Sequence, residues 1–284
     1  MKNIVGLLLQ LICIPLLGFG QTGLHCCQLD STTNTKEFAQ FSSDKEFISS
    51  HIEPLKFSYT SKIGKDLMLP TADGKDAHVY ELKAAKPTNN YIFVIHEWWG
   101  LNDYIKRESE KLYKDVGNVN VIAIDLYDKQ IATSSEDAAK FMQGVTEERS
   151  QTIIEAVKKH VGTKAKIATI GWCFGGGWSL KTSLILEKQA VACIMYYGMP
   201  ERNVEKLKAL NPDVLGIFAK QDKWITPQIV EEFEQNLKKA GKKVTIKMYD
   251  ADHAFANPSN PKYNKAASED AYATSIAFLK NRLK

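Results

Sequence analysis

The sequence predicts an α/β fold in which helices cover both faces of a mostly parallel central sheet. Two observations carry this prediction. Apolar runs of strand length alternate with segments of helical periodicity along most of the 284 residues. The runs are continuously apolar rather than alternating, as expected for parallel strands buried on both faces. The sequence has no internal repeat and no long linker, so we expect one main domain.

The composition excludes several classes of protein. The chain is 44% hydrophobic and 25% charged, which is ordinary for a soluble globular protein. Its net charge of +4 is mild and its lysines are dispersed, so we expect no nucleic-acid partner. The segment His25-Cys26-Cys27 has no second ligand pair at a suitable spacing. We therefore expect no metal and no other cofactor.

The first 20 residues have the character of a secretory signal peptide. Lys2 provides a short basic region, residues 4–17 are mostly apolar, and Gly18-Phe19-Gly20 offers small residues for cleavage. The apolar run is shorter than the roughly 20 residues that span a bilayer, and Pro15 interrupts it. The sequence therefore predicts an exported protein, periplasmic or secreted, without a stable membrane span.

The next segment, residues 21–54, is polar and rich in Ser and Thr. We interpret it as an extension that is partly disordered or lies on the surface, with one short helix near residues 36–41. Residues 55–284 form the main domain. It opens with two predicted edge strands, at 57–59 and 78–82, separated by a turn at 72–75.

The elements that follow alternate regularly. Further strands are predicted at 91–95, 119–124, 167–172, 191–197, 215–219 and 244–249. Helices are predicted at 103–116, 135–142, 146–161, 178–187, 204–210, 228–240 and 265–283. In sheets of this type, ligands bind at the carboxyl ends of the strands, so the residues at those ends are the candidates for function.

Cys173 is the candidate nucleophile. The stretch Gly171-Trp172-Cys173-Phe174-Gly175 joins a strand to a helix and has the pattern of a nucleophile elbow, G-x-S-x-G, with Cys in place of Ser. The glycines permit a tight turn, and the helix directs N–H groups at the sulfur, which favours a thiolate. The alternative is a small buried cysteine, as we expect for Cys193. An unpaired thiol is unusual in an exported protein, which favours a use for it.

An acid and a base follow at two later strand ends. Asp222 follows the strand at 215–219 and His253 follows the strand at 244–249. The order Cys, Asp, His is the order that α/β-hydrolases use. His253 would relay protons, and Asp222 would hold its tautomer. Asp250 and Asp252 are alternative acids, but they flank the histidine too closely, so Asp222 is favoured.

The strand at 91–95 adds a second carboxylate. It leads into Glu97-Trp98-Trp99-Gly100-Leu101-Asn102. The backbone N–H groups of Trp98 and Phe174 are candidates for an oxyanion hole. Glu97 would take the proton of the thiol, or it would serve only as an acidic residue at the start of a helix.

Over about residues 54–283 the chain resembles the dienelactone hydrolase family. The matching motifs are the Glu97–Asn102 segment, Asp125-Leu126-Tyr127, the elbow, Gln221-Asp222 and His253-Ala254-Phe255. The resemblance implies an α/β-hydrolase fold and a triad of Cys173, His253 and Asp222. It also implies that Glu97 activates the thiol when substrate binds, and that Trp98 and Phe174 supply the oxyanion-hole amides.

The chain departs from that family in its substrate site. The family holds its substrate carboxylate with arginines, but Asn257 stands where one is expected after the catalytic His, and residues 135–144 contain no Arg. A small anionic dienelactone would lose much of its binding without them. Trp98, Trp99, Met142, Phe174 and Phe255 suggest a more apolar pocket, unless they belong to the core. We therefore place Trp99, Phe255 and Asn257 in the substrate pocket.

The leading hypothesis is an exported cysteine-dependent hydrolase that cleaves a small ester, lactone or thioester. We expect a monomer or a weak dimer. One alternative is a non-catalytic ligand- or partner-binding protein of the same fold, since a fold does not guarantee an activity. Another is redox sensing by Cys173, which lacks an obvious resolving cysteine.

Overall fold

A computed structural model describes residues 34–284 of the chain. The predicted signal peptide and residues 21–33 lie outside the described residues. Within them, the strands are β1 (Lys65–Leu69), β2 (Ala77–Leu82), β3 (Asn90–Ile95), β4 (Asn120–Ile124), β5 (Lys166–Trp172), β6 (Ala190–Tyr196), β7 (Asp213–Ala219) and β8 (Val244–Tyr249). The helices are α1 (Asn34–Gln40), α2 (Lys45–Ser50), α3 (Asp103–Val116), α4 (Ser135–Gly144), α5 (Glu147–Val161), α6 (Phe174–Leu186), α7 (Val204–Lys208), α8 (Pro227–Lys239) and α9 (Lys265–Arg282).

The described strands form one sheet in the order β1-β2-β4-β3-β5-β6-β7-β8. β1 and β2, and β2 and β4, pair antiparallel, and every later pairing is parallel. The predicted α/β fold with a mostly parallel sheet is confirmed. The central strands are buried along most of their length, β4 at every residue. This burial accounts for their continuously apolar sequences.

The strand order reverses at β3, which lies between β4 and β5. Because crossovers between parallel strands are right-handed, this reversal places α3 on one face of the sheet and α6 on the other. α3 also contacts α9, and α6 contacts α5. A crevice therefore opens at the carboxyl ends of β3 and β5, where ligands bind in such sheets.

The strand predicted at residues 57–59 is wrong. That segment has no strand geometry, and the edge of the sheet is formed by β1 instead. The backbone N–H of Tyr59 donates to the carboxylate of Asp103, and the ring of Phe57 stacks on Tyr104 with centroids 4.6 Å apart. The N–H of Tyr59, which a strand would have paired with a neighbouring strand, is thus used by the first turn of α3.

Residues 34–51 form a segment of short helices that we call the strap. It consists of α1, a 3₁₀ turn at Phe41–Ser43 and α2, and its last residue is His51, directly after α2. Asp44 begins α2 by accepting hydrogen bonds from the backbone N–H groups of Glu46 and Phe47. The hydroxyl of Ser135 donates to the carbonyl oxygen of His51 over 2.5 Å. The strap is therefore tied to the main domain. Across residues 34–284, no helix combines the length and apolarity of a bilayer span.

Candidate active site

The elbow holds Cys173 in a strained backbone conformation between β5 and α6. Its φ of 54° and ψ of −119° lie where residues with a Cβ are rare. A Cβ on Gly171 would come within 2.0 Å of the carbonyl oxygen of Gly175, and one on Gly175 within 2.3 Å of the carbonyl oxygen of His96. Only glycine permits these approaches, which press the start of α6 against the ends of β5 and β3.

A line of hydrogen bonds joins Cys173, His253 and Asp222. Nε2 of His253 lies 3.4 Å from Sγ of Cys173, and its Nδ1 donates to Oδ2 of Asp222 over 2.6 Å. The other carboxylate oxygen, Oδ1, accepts from the backbone N–H groups of Trp224 and Ile225, each over 2.9 Å. The carboxylate is thus fixed by its own loop and fixes the imidazole in turn.

The two alternative acids have other partners. Asp250 accepts a hydrogen bond from the side chain of Gln221 over 2.9 Å, and Asp252 pairs with Lys262 over 3.2 Å. Neither carboxylate is hydrogen-bonded to His253. The geometry therefore favours Asp222 as the partner of the imidazole.

The charges of these buried groups depend on one another. Burial alone would lower the pKa of His253, but the negative charge of Asp222 and the neighbouring sulfur raise it overall. Burial raises the pKa of the Cys173 thiol, although His253 and the backbone N–H of Phe174 oppose this. Burial would also raise the pKa of Asp222, but His253 lowers it overall. The closed site therefore keeps Asp222 ionised and disfavours a free thiolate.

Glu97 follows β3 and lies beside the same site. Its Oε1 accepts a hydrogen bond from Nδ2 of Asn257 over 2.8 Å. Burial raises the pKa of Glu97 to about 7, although Asn257 and His253 act in the opposite direction. Its charge also raises the pKa of the Cys173 thiol. A carboxyl group with a pKa near neutrality is suited to exchange protons at the pH of most cells.

One predicted oxyanion-hole residue, Phe174, lies in the elbow, and the other, Trp98, follows β3. The backbone N–H of Phe174 lowers the pKa of the Cys173 thiol. Trp98 follows Glu97 at the end of β3, which the close packing of Gly175 brings beside the elbow. Both amides therefore belong to segments that meet at the nucleophile.

The described part of the chain matches a family model. The model for the dienelactone hydrolase family matches residues 76–283. The chain belongs to the dienelactone hydrolase family. The predicted resemblance is confirmed, and so is the prediction of a hydrolase acting on ester bonds.

Two relatives of the chain are distant in sequence, but each match covers most of the relative's own length. The chain is 28% identical over 206 residues to a putative carboxymethylenebutenolidase of Aquifex aeolicus, covering 68% of this chain and 88% of that protein. It is 26% identical over 204 residues to Protein usf of Aquifex pyrophilus, with the same coverage.

Solved structures share the fold. A putative dienelactone hydrolase from Klebsiella pneumoniae superposes with a TM-score of 0.66 at 21% identity, covering 78% of this chain and 99% of that one. A dienelactone hydrolase-like promiscuous phosphotriesterase from metagenomic libraries gives a TM-score of 0.65 at 17% identity, covering 78% and 100%.

A cavity of about 620 Å³ lies next to the candidate active site and is lined in part by residues of α3 and α9. Glu97, Asn257, Trp172 and Tyr197 are among the residues that line it. Other lining residues are aromatic or charged, with both signs of charge present: Tyr59, Tyr104, Arg107, Glu108, Lys111 and Tyr272. Asn257 lines this cavity, and its role in binding substrate stays a prediction.

The placement of Trp99 and Phe255 in the substrate pocket stays a prediction. Both side chains lie in the core, 2% and 0% exposed, and neither lines the cavity. Phe255 packs between the rings of Tyr197 and Tyr249. Met142, considered for the same pocket, is also buried. An apolar side chain near a strand end faces either the pocket or the core, and sequence does not separate the two.

The strap covers the triad, a feature that the sequence analysis missed. Phe47 is buried against the rings of Trp98, Trp224 and His253, at centroid distances of 5.1, 5.2 and 6.0 Å. His51 follows and brings its Nε2 to 3.8 Å from Sγ of Cys173. Cys173 has no exposed surface. The spacing of aromatic residues in an otherwise polar extension, at positions 38, 41 and 47, was the available signal.

Proposed function

We propose that the protein is an exported cysteine hydrolase that cleaves a small ester, lactone or thioester. The observation that carries this proposal is the position of His253, whose two ring nitrogens contact the Cys173 sulfur and the Asp222 carboxylate. This is the arrangement in which an imidazole moves a proton to and from a nucleophile while a carboxylate fixes its tautomer.

The first half of the reaction acylates the sulfur. The strap withdraws, and Glu97 or His253 accepts the proton of Cys173. The thiolate attacks the substrate carbonyl carbon, and the backbone N–H groups of Trp98 and Phe174 bind the resulting oxyanion. The bond from that carbon to the leaving oxygen or sulfur then breaks. His253 donates a proton to the leaving group, and an acyl-thioester on Cys173 remains.

The second half releases the acid. His253, again neutral, accepts a proton from a water molecule as its oxygen attacks the thioester carbon. The carbon–sulfur bond breaks and the carboxylic acid leaves. The sulfur regains a proton from Glu97 if that residue accepted the thiol proton, and otherwise from His253. One water molecule is consumed, and the residues return to their starting protonation states.

Glu97 is proposed as the base that activates the thiol. Its raised pKa of about 7 supports a proton-accepting role. In the closed arrangement its carboxylate is bonded to Asn257, so this hydrogen bond must lengthen before Glu97 turns to the sulfur. Asn257 occupies a position where the dienelactone hydrolase family carries an arginine. We therefore propose that the substrates are neutral compounds in preference to anionic dienelactones.

Hydrolysis of a substrate panel tests the proposal. The panel contains p-nitrophenyl acetate, a neutral lactone and an anionic dienelactone, each given to the wild type and to Cys173→Ala. We expect activity that the substitution abolishes, with the neutral compounds hydrolysed faster. Equal, negligible rates for both proteins on every substrate would overturn the proposal. Export is tested separately, by the N-terminal residue of the mature protein recovered outside the cytoplasm, which we expect at Gln21.

One observation favours the non-catalytic alternative. The thiol is buried and does not line the cavity, so a ligand held beside Glu97 would not reach it while the strap is closed. Under this alternative, ligand binding persists while Cys173 resists alkylation in the folded protein. Alkylation of Cys173 with loss of hydrolysis favours the enzyme.

A further inference from the structure

Two imidazoles converge on the sulfur of Cys173. Nε2 of His253 lies 3.4 Å and Nε2 of His51 lies 3.8 Å from Sγ. The three atoms all lie within 4.8 Å of one another, and all three side chains are buried. Zinc bonds of about 2.3 Å to sulfur and about 2.0–2.1 Å to nitrogen give a tetrahedral S···N edge of about 3.6 Å. The two measured separations bracket that edge.

Both imidazoles are oriented as metal ligands are. Nδ1 of His253 donates to the carboxylate of Asp222 over 2.6 Å, and Nδ1 of His51 donates to the carbonyl oxygen of Phe47 over 2.8 Å. Metal-bound histidines usually donate their second nitrogen to a carboxylate or a backbone carbonyl in this way. These bonds direct both Nε2 atoms toward the sulfur. Two imidazoles and one thiolate suit zinc, with water as a fourth ligand.

The proposed hydrolytic reaction uses two of these groups but not the third. His51 contacts neither Asp222 nor Glu97 by hydrogen bond, and its ring packs between Phe47 and Trp98 at centroid distances of 4.3 and 4.9 Å. A carbonyl oxygen only accepts, so Nδ1 of His51 carries the proton donated to Phe47. In the neutral imidazole the other nitrogen, Nε2, then has no proton and faces the sulfur.

We propose that His51, Cys173 and His253 form a site for Zn²⁺ that holds the strap closed over the nucleophile. Binding displaces the proton of the thiol and any proton on Nε2 of His253, because zinc coordinates the thiolate and the neutral imidazole. With zinc bound, the sulfur of Cys173 and Nε2 of His253 are no longer free for the reaction. We therefore expect zinc to inhibit the enzyme reversibly, a consequence that rests on the proposed function. The binding of zinc does not depend on the proposed function.

Cobalt spectroscopy tests the site without any substrate. All proteins carry Cys26→Ser and Cys27→Ser, so that the N-terminal cysteines contribute no thiolate. Co²⁺ is added to the otherwise wild-type protein, to His51→Gln and to the control His160→Gln, whose histidine lies on α5 and is hydrogen-bonded to Glu81 on β2. We expect one Co²⁺ per chain with a thiolate charge-transfer band in the wild type and the control. Competition with a chelator then measures Zn²⁺ affinity, which we expect His51→Gln to lower about a hundredfold or more.

A second experiment tests whether zinc protects Cys173 from alkylation in the protein that retains His51. Micromolar Zn²⁺ should slow iodoacetamide alkylation of Cys173 in the wild type, and a chelator should restore the original rate. The proposal is overturned if no thiolate band forms, or if His51→Gln binds Zn²⁺ as tightly as the control. If the band forms but no substrate is hydrolysed, the site stands and the proposed function fails. If hydrolysis occurs but zinc inhibits the His51→Gln protein as strongly as the control, the site fails and the proposed function stands.

Discussion

Nε2 of His51 lies 3.8 Å from Sγ of Cys173, although 122 positions separate the two residues in the chain. The strap that carries His51 is held over the triad by Phe47, whose ring contacts Trp98, Trp224 and His253. The nucleophile is therefore closed from solvent by a segment outside the 76–283 region that matches the family model. The rate at which a reagent reaches the thiol should therefore depend on how readily the strap opens.

Replacing Phe47 should open the strap. Phe47→Ala removes a buried ring, a change that costs about 3–5 kcal/mol in a protein core. The lost packing destabilises the closed position of the strap, because Phe47 contacts the triad in that position. We therefore expect alkylation of Cys173 to be at least about tenfold faster than in the wild type. Rates are measured by mass spectrometry of the peptide that contains Cys173. Phe57→Ala is the control, since Phe57 packs on Tyr104 away from the triad. Equal rates for Phe47→Ala and Phe57→Ala would contradict this account.

The identity of the acid is tested by a pair of neighbouring substitutions. Asp222→Asn retains the shape of the side chain but no longer holds the tautomer of His253, so we expect kcat to fall about 10⁴-fold with little change in KM. Asp250→Asn is the control, because its carboxylate binds Gln221 instead of His253. A larger loss from Asp250→Asn than from Asp222→Asn would reassign the acid.

The role of Glu97 predicts a pH dependence. Because its pKa is raised to about 7, the carboxylate that accepts the thiol proton is present above that pH and lost below it. We expect kcat/KM of the wild type to rise through about pH 7 and Glu97→Gln to lack this limb. A profile unchanged by Glu97→Gln would leave His253 as the base.

The carboxyl group of Glu97 should make the protein less stable as the pH rises, whereas most acidic side chains have the opposite effect. Its pKa is higher in the folded protein than its ordinary value of 4.5, so the folded state retains a proton that the unfolded chain has lost. Raising the pH between these values therefore lowers the free energy of unfolding. We expect the melting temperature of the wild type to fall relative to that of Glu97→Gln between pH 5 and pH 8. A parallel response of the two proteins would disprove this.

The elbow is expected to tolerate no methyl group. In Gly175→Ala, the new Cβ would meet the carbonyl oxygens of His96 and Ile95 at 2.3 and 2.4 Å, both on backbone. We expect the free energy of unfolding to fall by about 1–3 kcal/mol or more, measured by urea denaturation. Gly144→Ala is the control, since no atom lies within 4 Å of its added Cβ at the end of α4. It should be neutral or stabilising by up to about 1 kcal/mol. Similar losses in both variants would argue against steric contact as the cause.

The elements of the main domain were largely predictable. Strands such as β3 and β5 are apolar at consecutive positions because both faces are buried, and that pattern is local to the sequence. The elbow was equally visible, because its glycines are required within five residues of one another. Cys173, Asp222 and His253 could be nominated because each follows a strand, and parallel strands end at the same edge of the sheet. The segment at 57–59 was misassigned because its partner, α3, is distant in sequence.

Local pattern and chain order accordingly specified the sheet, the elbow and the order of the three triad residues. Three-dimensional packing decided the rest: that Asp222 and not Asp250 contacts His253, that Phe255 lies in the core, and that Asn257 binds Glu97. It also brought His51 to the sulfur. The physical reason is that side-chain contacts depend on which surfaces meet after folding. A histidine in a polar segment shows no sign in the sequence of the sulfur that it will face.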